Sequence, residues 1–450
     1  MDLSKLDKKY LWHPYTQMKD WQDLDVKVIK KGRGPWLIDS EGRKYLDGVA
    51  SMWCNVWGHT RREIVRAMGD QIAQLQHSTL FGLANEPSII LARMLTKRAG
   101  GMSRVFYSDN GSTAVEVALK MALQYWRNLG MTQKNTFVAL KNGYHGDTVG
   151  AMSVGYIKNF FASYRRMLFP VRWAPSPYLY RRPAKMSEEE FVDHCIDSTE
   201  RMLRDGSKRV AGVIMESGAQ VAGGAIIYPK GYQKEIKRLC EKYDTLLILD
   251  EVATGFGRLG SMTEYLEQRS LPDIVVFGKM LTAGYLPLAV TLATDRVYRA
   301  FLGKYEEQKH LFHGHTFTGN PVACATAIAN LRLYGRERLL QSVRRRSRIM
   351  QKRLDEEIRN LRIVGDVRQK GMLAGIELVK DRRSRAPLSV IGRQRINYLI
   401  MQESLKRGVF LRPMGHIMLL VPPLAISSEE MDRLIDVAAD TIREVQRRIM

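Results

Sequence analysis

Short apolar runs alternate with longer helical patterns along this chain, and this alternation restricts its fold more than any other feature. The strand-like runs lie at 104–108, 136–140, 210–215, 245–250, 273–279 and 288–294. One helical pattern follows the first run, and another precedes the fourth. Alternation of this kind is typical of α/β proteins with a largely parallel sheet. The sequence therefore predicts an α/β fold.

The pattern changes near residue 330. Charged amphipathic segments lead there to short apolar runs and to a closing helix, for which Ser427 or Ser428 can serve as the N-cap. At the other end of the chain, residues 36–47 have the pattern of a hairpin with a turn at 40–42. We therefore predict an N-terminal segment that packs with a small C-terminal α+β domain, and a large domain between them, with the respective boundaries 1–75, 330–450 and 76–329.

The composition favours a cytoplasmic protein. No segment reaches the roughly 18 consecutive apolar residues of a membrane span, and the N-terminus lacks the apolar stretch of a secretory signal. The 4 cysteines form no CxxC pair, which disfavours a disulfide framework or a zinc site. We expect reduced thiols at Cys54, Cys195, Cys240 and Cys324.

The formal net charge of +23 allows two interpretations. An electropositive surface can attract nucleic acids or anionic substrates, or it can be a solvated surface without a polyanionic partner. The basic excess is spread along the chain, and its densest run, at 344–353, falls in a helical pattern. Because no nucleic-acid-binding motif stands nearby, we favour the solvated surface and predict no nucleic-acid partner.

A candidate phosphate site follows the first strand-like run, which ends at Ser108. Gly111 lets the backbone approach a ligand closely, and the free N–H groups at the start of the next helix favour an anion. Ser112 adds a hydroxyl donor. An ordinary strand–turn–helix with a capping serine has the same pattern, so this segment alone does not establish a phosphate site.

Two charged residues end strongly apolar runs. Asp250 is expected at the carboxyl end of a buried strand, where open α/β sheets bind ligands, and its carboxylate can keep a pyridine nitrogen protonated. Lys279 ends a later run, where desolvation lowers the pKa of an amine and allows it to form a Schiff base. The competing interpretations are an aspartate that caps a turn and a lysine that extends to solvent at a strand end.

The remaining candidate residues are Tyr144, Thr316 and His145. Tyr144 offers an aromatic face for stacking on a heterocycle and Thr316 a hydroxyl for a phosphate, although each also fits a purely structural role. His145 has no second ligand at metal spacing, and we predict no metal. A phosphate turn, an aromatic residue, an acid and a lysine follow one another along one α/β sheet. This order indicates an enzyme that uses pyridoxal 5'-phosphate (PLP), bound in the large domain.

Segments 248–260, 273–290 and 315–327 resemble class-III (ω-) aminotransferases of PLP fold type I, and the resemblance covers nearly the whole chain. Within that family, four further segments resemble the enzymes that convert 8-amino-7-oxononanoate to 7,8-diaminononanoate in biotin biosynthesis; they lie at 12–20, 47–59, 144–155 and 410–415. The resemblance implies this activity and a homodimer whose subunits share their active sites.

The resemblance also implies roles for the candidate residues around the cofactor. Lys279 forms the Schiff base and moves the proton, Asp250 pairs with the pyridinium nitrogen, and Tyr144 stacks on the ring; these three are the expected catalytic residues. The cofactor phosphate is expected to contact both subunits. Its expected ligands are Gly111 and Ser112 of one chain, together with His315 and Thr316 of the partner subunit.

On the substrate side, the resemblance implies that Arg412 binds the carboxylate of 8-amino-7-oxononanoate, a pairing that suits the bidentate geometry of a guanidinium group. Tyr15, Trp53 and Gly314 are expected to line the substrate site, together with Tyr144 and Lys279.

The chain departs from the family pattern at several positions. Many members that use S-adenosylmethionine as amino donor have two adjacent tryptophans where this chain has Met52-Trp53, and a tyrosine where it has Leu419. At both positions the chain resembles Bacillus-type members, which favours lysine over S-adenosylmethionine as the amino donor. The residues around Glu216 also differ from the family pattern, and we assign Glu216 no catalytic role.

Two alternative functions stay open at this point. The first is another ω-aminotransferase that acts on ornithine, 4-aminobutyrate or β-alanine with a keto acid. The second is a non-enzymatic basic protein that binds nucleic acid, which would have no need for the combination of Lys279, Asp250 and the phosphate turn.

Overall fold

The computed structural model describes residues 2–391 and 394–449, and the N-terminal part begins with two short helices. An antiparallel sheet follows, whose second and third strands form the hairpin predicted from the sequence. The elements up to residue 74 are α1 (Leu3–Tyr10), α2 (Met18–Gln22), β1 (Ile29–Arg33), β2 (Trp36–Asp39), β3 (Lys44–Asp47), α3 (Ala50–Trp53) and α4 (Arg62–Gln74).

A seven-stranded sheet forms the centre of the molecule. Its strands are β4 (Arg104–Ser108), β5 (Thr136–Leu140), β6 (Val171–Ala174), β7 (Val210–Glu216), β10 (Leu246–Asp250), β11 (Ile274–Phe277) and β12 (Ala289–Ala293). Their order is β4-β12-β11-β10-β7-β5-β6, and β12 runs antiparallel to both of its neighbours, whereas the other pairs are parallel. Every strand-like run predicted from the sequence is a strand of this sheet, whereas β6 was not predicted.

Helices cover both faces of the central sheet, because successive strand residues point to opposite sides. In β5, Phe137 and Ala139 join the core beneath the first helix after β4, whereas Val138 and Leu140 join the larger core on the other face. The helices of this region are α5 (Glu86–Arg98), α6 (Gly111–Asn128), α7 (Val149–Ser153), α8 (Lys158–Phe161), α9 (Glu188–Asp205), α10 (Tyr232–Lys242), α11 (Glu264–Glu267), α12 (Asp295–Arg299) and α13 (Pro321–Arg336). A small hairpin, β8 (Ala219–Gln220) and β9 (Ile226–Ile227), follows β7.

The C-terminal part combines helices with a small antiparallel sheet. Its elements are α14 (Leu339–Glu357), β13 (Val364–Lys370), β14 (Leu373–Asp381), β15 (Ala386–Pro387), β16 (Val390–Ile391), β17 (Gln394–Arg395), α15 (Ile396–Lys406), β18 (Val409–Phe410), β19 (Ile417–Leu420) and α16 (Ser428–Arg447). Ser427 is the N-cap of α16, because its hydroxyl accepts a hydrogen bond from the backbone N–H of Glu430. The basic run at 344–353 lies in α14, where Arg353 forms ion pairs with Asp432 and Asp436.

The N-terminal sheet contacts the C-terminal part. The strands β3 and β18 pair in parallel, with Leu46 opposite Val409, and Trp36 Nε1 donates a hydrogen bond to Glu430 Oε1 over 2.9 Å. The division into three parts stays a prediction, and its outer segments include residues 1, 392, 393 and 450, which lie outside the described residues. Within the described ranges, no helix has both the length and the hydrophobicity that a bilayer-crossing helix requires.

Candidate active site

A cavity of about 700 Å³ opens at the carboxyl ends of the central strands. This is the edge at which open α/β sheets bind ligands. The predicted substrate residue Trp53 lines it, together with five predicted cofactor residues that come from separate segments of the chain. These five are Gly111, Ser112, Tyr144, Asp250 and Lys279. The structure therefore brings the predicted cofactor residues of one subunit together, while their individual roles stay predictions.

Asp250 is the last residue of β10, and only 4% of its surface is exposed. Its Oδ1 accepts a hydrogen bond from the backbone N–H of Val252 over 2.9 Å. Its Oδ2 lies 2.8 Å from Nδ1 of His145, which is also buried. Sequence analysis missed this partner, although His145 directly follows Tyr144 in the chain. The two contacts fix the carboxylate at the floor of the cavity.

Lys279 stands two residues beyond the end of β11, at the start of a 3₁₀ turn. Its backbone has a φ of 41°, which an L-residue other than glycine adopts rarely. Its Nζ lies 5.3 Å from the centroid of the Trp53 ring. Burial lowers the pKa of Lys279, although Asp250 and Glu216 attract the charged form. A larger fraction of neutral amine makes the side chain a better nucleophile.

The turn before α6 has the geometry of an anion site. Asn110 caps the helix by accepting a hydrogen bond from the backbone N–H of Thr113, and Gly111 and Ser112 occupy the first helical positions beside the cavity. A Cβ on Gly111 would lie 2.6 Å from Cγ1 of Val252, so a larger residue does not fit. The N–H groups of this turn and the helix dipole favour a phosphate.

The Ser112 hydroxyl is held in place by a neighbouring loop. Its Oγ lies 2.8 Å from Oγ1 of Thr148 and accepts a hydrogen bond from the backbone N–H of Thr148 over 3.0 Å. The loop approaches closely at Gly146, where a Cβ would lie 2.3 Å from Oγ of Ser112. This packing fixes the donor that the sequence predicts for a phosphate.

Tyr144 is connected to the N-terminal segment through a shared acid. The hydroxyl groups of Tyr144 and Tyr15 donate hydrogen bonds to the two carboxylate oxygens of Asp147, over 3.2 Å and 2.6 Å. Burial raises the pKa of both tyrosines. Sequence analysis did not single out Asp147. Asp147 thus connects Tyr144, in the wall of the cavity, to Tyr15, which lies 132 positions before Asp147 in the chain.

Glu216 ends β7 beside the same cavity and is 4% exposed. It accepts hydrogen bonds from the backbone N–H groups of Tyr144, over 3.1 Å, and Val221, over 2.9 Å. Burial raises the pKa of Glu216 to about 7, with a further contribution from the negative charge of Asp250. These contacts give Glu216 a structural function, since it fixes the backbone on which Tyr144 stands.

Glu216 is expected to make the cofactor-free protein less stable as the pH rises. Because the pKa of Glu216 is higher in the folded protein than in the unfolded chain, folding favours the protonated acid. The resulting stabilisation is fully present below about pH 4.3, the pKa in the unfolded chain, and is lost as the pH rises through about 7, the pKa in the folded protein. Between pH 4.5 and pH 8 this loss amounts to about 3 kcal/mol. We expect Glu216→Gln to lack this component when urea unfolding is compared at the two pH values.

A second buried acid, Glu251, titrates in the same pH range but does not affect this comparison. Burial raises its pKa to about 8, and it is present in both proteins, so its contribution cancels in the difference between them. Equal pH dependence of the two unfolding free energies would contradict the assigned protonation of Glu216.

A second cavity, of about 600 Å³, shares Lys279, Trp53 and Tyr144 with the first. Tyr15 and Arg412 also line it, so the structure brings these predicted substrate residues to one space. Nη1 of Arg412 lies 3.8 Å from Sδ of Met52. Among the described residues, Arg412 forms no ion pair with an acid, which leaves its guanidinium group available to an anionic ligand. Leu419 is fully buried in β19 and packs in the same cluster as Trp53.

The other three predicted residues lie elsewhere. Gly314, His315 and Thr316 line neither cavity, and Gly314 and Thr316 are exposed. Nε2 of His315 is buried without a hydrogen-bond partner in the described part of the chain. Exposed aromatic residues surround this segment: Phe81, Phe312 and Phe317. A single chain therefore does not bring this segment to Lys279, and its contribution through a partner subunit stays a prediction.

The chain is similar to known proteins over nearly its whole length. The family model described as "Aminotransferase class-III" matches residues 18–442. The adenosylmethionine-8-amino-7-oxononanoate aminotransferase of Geobacter sulfurreducens is 47% identical over 98% of this chain and 97% of its own. The Aquifex aeolicus protein of the same name is 44% identical over 99% of this chain and 98% of its own.

Two solved structures are also similar. The Methanocaldococcus jannaschii adenosylmethionine-8-amino-7-oxononanoate aminotransferase has a TM-score of 0.91 and 41% identity, with 98% of each chain covered. The omega transaminase from Pseudomonas jessenii, in complex with PMP, has a TM-score of 0.94 and 30% identity, with 100% of this chain and 99% of that chain covered. These neighbours confirm the predicted fold type. The chain belongs to the class-III aminotransferase family.

Proposed function

We propose that the protein is a PLP-dependent aminotransferase that converts 8-amino-7-oxononanoate to 7,8-diaminononanoate in biotin biosynthesis. The observation that carries the proposal is the convergence of Lys279, Asp250 and the Gly111-Ser112 turn on one cavity. The choice of acceptor is supported by the names of the relatives, which are 47% and 44% identical over nearly the whole chain.

The residues present fit PLP. The Gly111-Ser112 turn suits the phosphate, the Asp250 carboxylate suits a protonated ring nitrogen, and the Lys279 amine suits the aldehyde. Nε2 of His145 is buried and has no hydrogen-bond partner among the described residues, which supports a polar ligand beside it. When bound, PLP supplies an aldehyde that condenses with amines and a cationic ring that withdraws electrons.

Lys279 and Trp53 are proposed to have different roles in transamination. The amine of Lys279 would hold the cofactor aldehyde, and its Nζ, when free, would take a proton from the substrate carbon that bears nitrogen. The lowered pKa of Lys279 keeps a larger fraction of this amine neutral and able to accept the proton. Trp53, whose ring lies 5.3 Å from Nζ of Lys279, covers the amine and limits the access of water.

Asp250 supplies the negative charge at the floor of the site. It is buried and held by the backbone N–H of Val252 and by His145, so its carboxylate does not have to reorganise during the reaction. Tyr144 lines the same cavity, and its hydroxyl is fixed by Asp147.

Arg412 is proposed to bind the carboxylate of the acceptor. Its guanidinium group lines the cavity that contains Lys279 and forms no ion pair within residues 2–391 and 394–449. The apolar chain of the acceptor then lies along Met52 and Trp53, between Arg412 and the reacting carbon.

The amino donor is a separate question. Met52 and Leu419 favour lysine through their resemblance to Bacillus-type members, whereas the relatives of Geobacter sulfurreducens and Aquifex aeolicus carry adenosylmethionine in their names. Lysine stays the donor predicted from the sequence, and the assay described below compares it directly with S-adenosylmethionine.

We propose a homodimer with shared active sites. The support is the position of His315 and Thr316 outside both cavities, on a surface that exposes Phe312 and Phe317 by 70% and 60%. If two subunits met through these surfaces, the rings of Phe312 and Phe317 would be buried, and His315 and Thr316 would reach the cofactor of the other subunit. A monomer in sedimentation analysis that keeps full activity would contradict this arrangement.

Half-reactions of the purified holoenzyme test the proposed reaction. We expect one of the two candidate donors to shift the cofactor absorbance, and 8-amino-7-oxononanoate to reverse the shift. Arg412→Ala is expected to raise the KM of the acceptor by about 100-fold, because a charge-assisted pair is lost. Reversal by 2-oxoglutarate or pyruvate, but not by 8-amino-7-oxononanoate, would contradict the proposal. That outcome would favour the other ω-aminotransferases, an alternative supported by the TM-score of 0.94 to an omega transaminase.

A further inference from the structure

Residues 50–53 form a left-handed turn that contains no glycine. The φ angles of Ala50, Ser51, Met52 and Trp53 are 47°, 47°, 76° and 73°. L-residues other than glycine visit this region mostly as single residues, so four in succession are exceptional. The backbone N–H groups of Trp53 and Cys54 close the turn on the carbonyl groups four positions before them, over 2.8 Å and 3.0 Å.

The turn forms part of the wall of the substrate cavity. Met52 and Trp53 both line the cavity that contains Lys279 and Arg412. Trp53 lies beside the amine of Lys279, and Sδ of Met52 lies 3.8 Å from Nη1 of Arg412. The left-handed backbone thus places two consecutive side chains near opposite ends of the proposed substrate. Unfavourable backbone conformations persist only where surrounding contacts impose them.

Asp47 supplies such a contact. It is fully buried, and its Oδ1 accepts a hydrogen bond from the backbone N–H of Ser51 over 3.0 Å. Its Oδ2 accepts a second bond from the Ser51 hydroxyl over 2.6 Å and lies 3.3 Å from Nε2 of His59. The backbone of Asp47 is itself fixed, because β3 pairs with β18 at Phe410.

We propose that Asp47 is a positioning residue that imposes the left-handed turn and thereby places Met52 and Trp53 against the substrate. The inference rests on the proposed function of the cavity for the identity of that substrate. It assigns Asp47 no contact with the reacting atoms. Its effect passes through the backbone of Ser51.

Asp47→Ala is expected to lower kcat/KM for 8-amino-7-oxononanoate about 10- to 100-fold, because two hydrogen bonds to a charged group are lost. The double variant Asp47→Ala/Ser51→Gly is expected to recover at least about tenfold of this loss, since glycine adopts a positive φ at little cost. Asp47→Asn keeps an acceptor for the Ser51 N–H and is expected to show a smaller loss. This milder variant provides the test if Asp47→Ala does not fold.

Cys54 gives a second measurement that does not depend on activity. Its thiol is half-buried and donates to the carbonyl of Ser51 over 3.3 Å, whereas the other three cysteines are buried. Opening of the turn in Asp47→Ala is expected to accelerate the reaction of this thiol with a disulfide reagent in the holoenzyme. The glycine of the double variant is expected to slow that reaction again.

Asp39→Ala is the matched control. Asp39 is also a buried acid of the N-terminal sheet, and it accepts hydrogen bonds from Arg43 and Tyr45 but lines neither cavity. Its loss is expected to reduce stability without changing kcat/KM or the thiol rate. Equal losses in both single variants, or no recovery in the double variant, would overturn the proposal. If the wild type failed to aminate 8-amino-7-oxononanoate while the thiol rates followed the expected order, only the proposed function would fail.

Discussion

Lys279→Ala is expected to reduce turnover at least about 10⁴-fold, the largest effect of any single substitution in this protein. In the proposed reaction, the change removes both the nucleophile that would hold the cofactor and the group that would move the proton, and proton transfer alone contributes a factor of about 10² to 10⁴ to the rate. Steady-state rates with each donor measure the loss. Borohydride reduction of the wild-type holoenzyme, followed by peptide mapping, is expected to place the pyridoxyl group on residue 279.

Lys134→Ala is the control for burial of a lysine. Burial lowers the pKa of Lys134, as it does for Lys279, but Lys134 lies on the ring of Trp126 and lines neither cavity. This variant is expected to lose stability and to keep its turnover. Turnover at the wild-type rate in Lys279→Ala would refute the role of this lysine.

The strand ends that line the cavity could be predicted from the sequence. Asp250 follows an apolar run, and in a parallel sheet such a run ends at the edge where ligands bind. Gly111 was identifiable for a similar reason, since a glycine between a strand and a helix marks a close approach of the backbone. In both cases the relevant information lies within a few neighbouring residues.

Contacts between distant residues could not be predicted in the same way. His145 and Asp250 are 105 positions apart, and Tyr15 and Asp147 are 132 positions apart. Neither pair has a spacing that indicates contact. The first contact follows from the order of strands in the central sheet, and the second from the packing of the N-terminal segment against the large domain; the sequence pattern alone determines neither.

The left-handed turn runs against local sequence preferences. The residues Ala-Ser-Met-Trp at 50–53 contain none of the glycine or asparagine that favours a positive φ. The conformation depends on Asp47, whose own position depends on the pairing of β3 with β18. Because the turn depends on contacts between segments about 360 residues apart, at Asp47 and Phe410, the sequence of the turn itself does not predict its conformation.

Asp250→Asn is expected to reduce kcat about 10² to 10³-fold, the second largest effect. Loss of one preorganised electrostatic contact at a reacting centre has effects of this size. Asparagine has the same shape, and its amide oxygen can still accept the hydrogen bond from the backbone N–H of Val252. The change therefore removes the negative charge while it preserves the packing. Pre-steady-state rates of the donor half-reaction and the absorbance spectrum of the holoenzyme measure the effect.

Asp273→Asn separates this effect from the general cost of altering a buried acid. Asp273 is 5% exposed, accepts a hydrogen bond from the backbone N–H of Leu247 over 2.9 Å and lies at the opposite end of the strands from the cavity. Both substitutions remove a buried charge from the same sheet, so both are expected to reduce stability. Only the charge beside the cavity can stabilise a cationic ring, so only Asp250→Asn is expected to slow the reaction. Similar rates in the two variants would mean that the reaction does not require a negative charge at the end of β10.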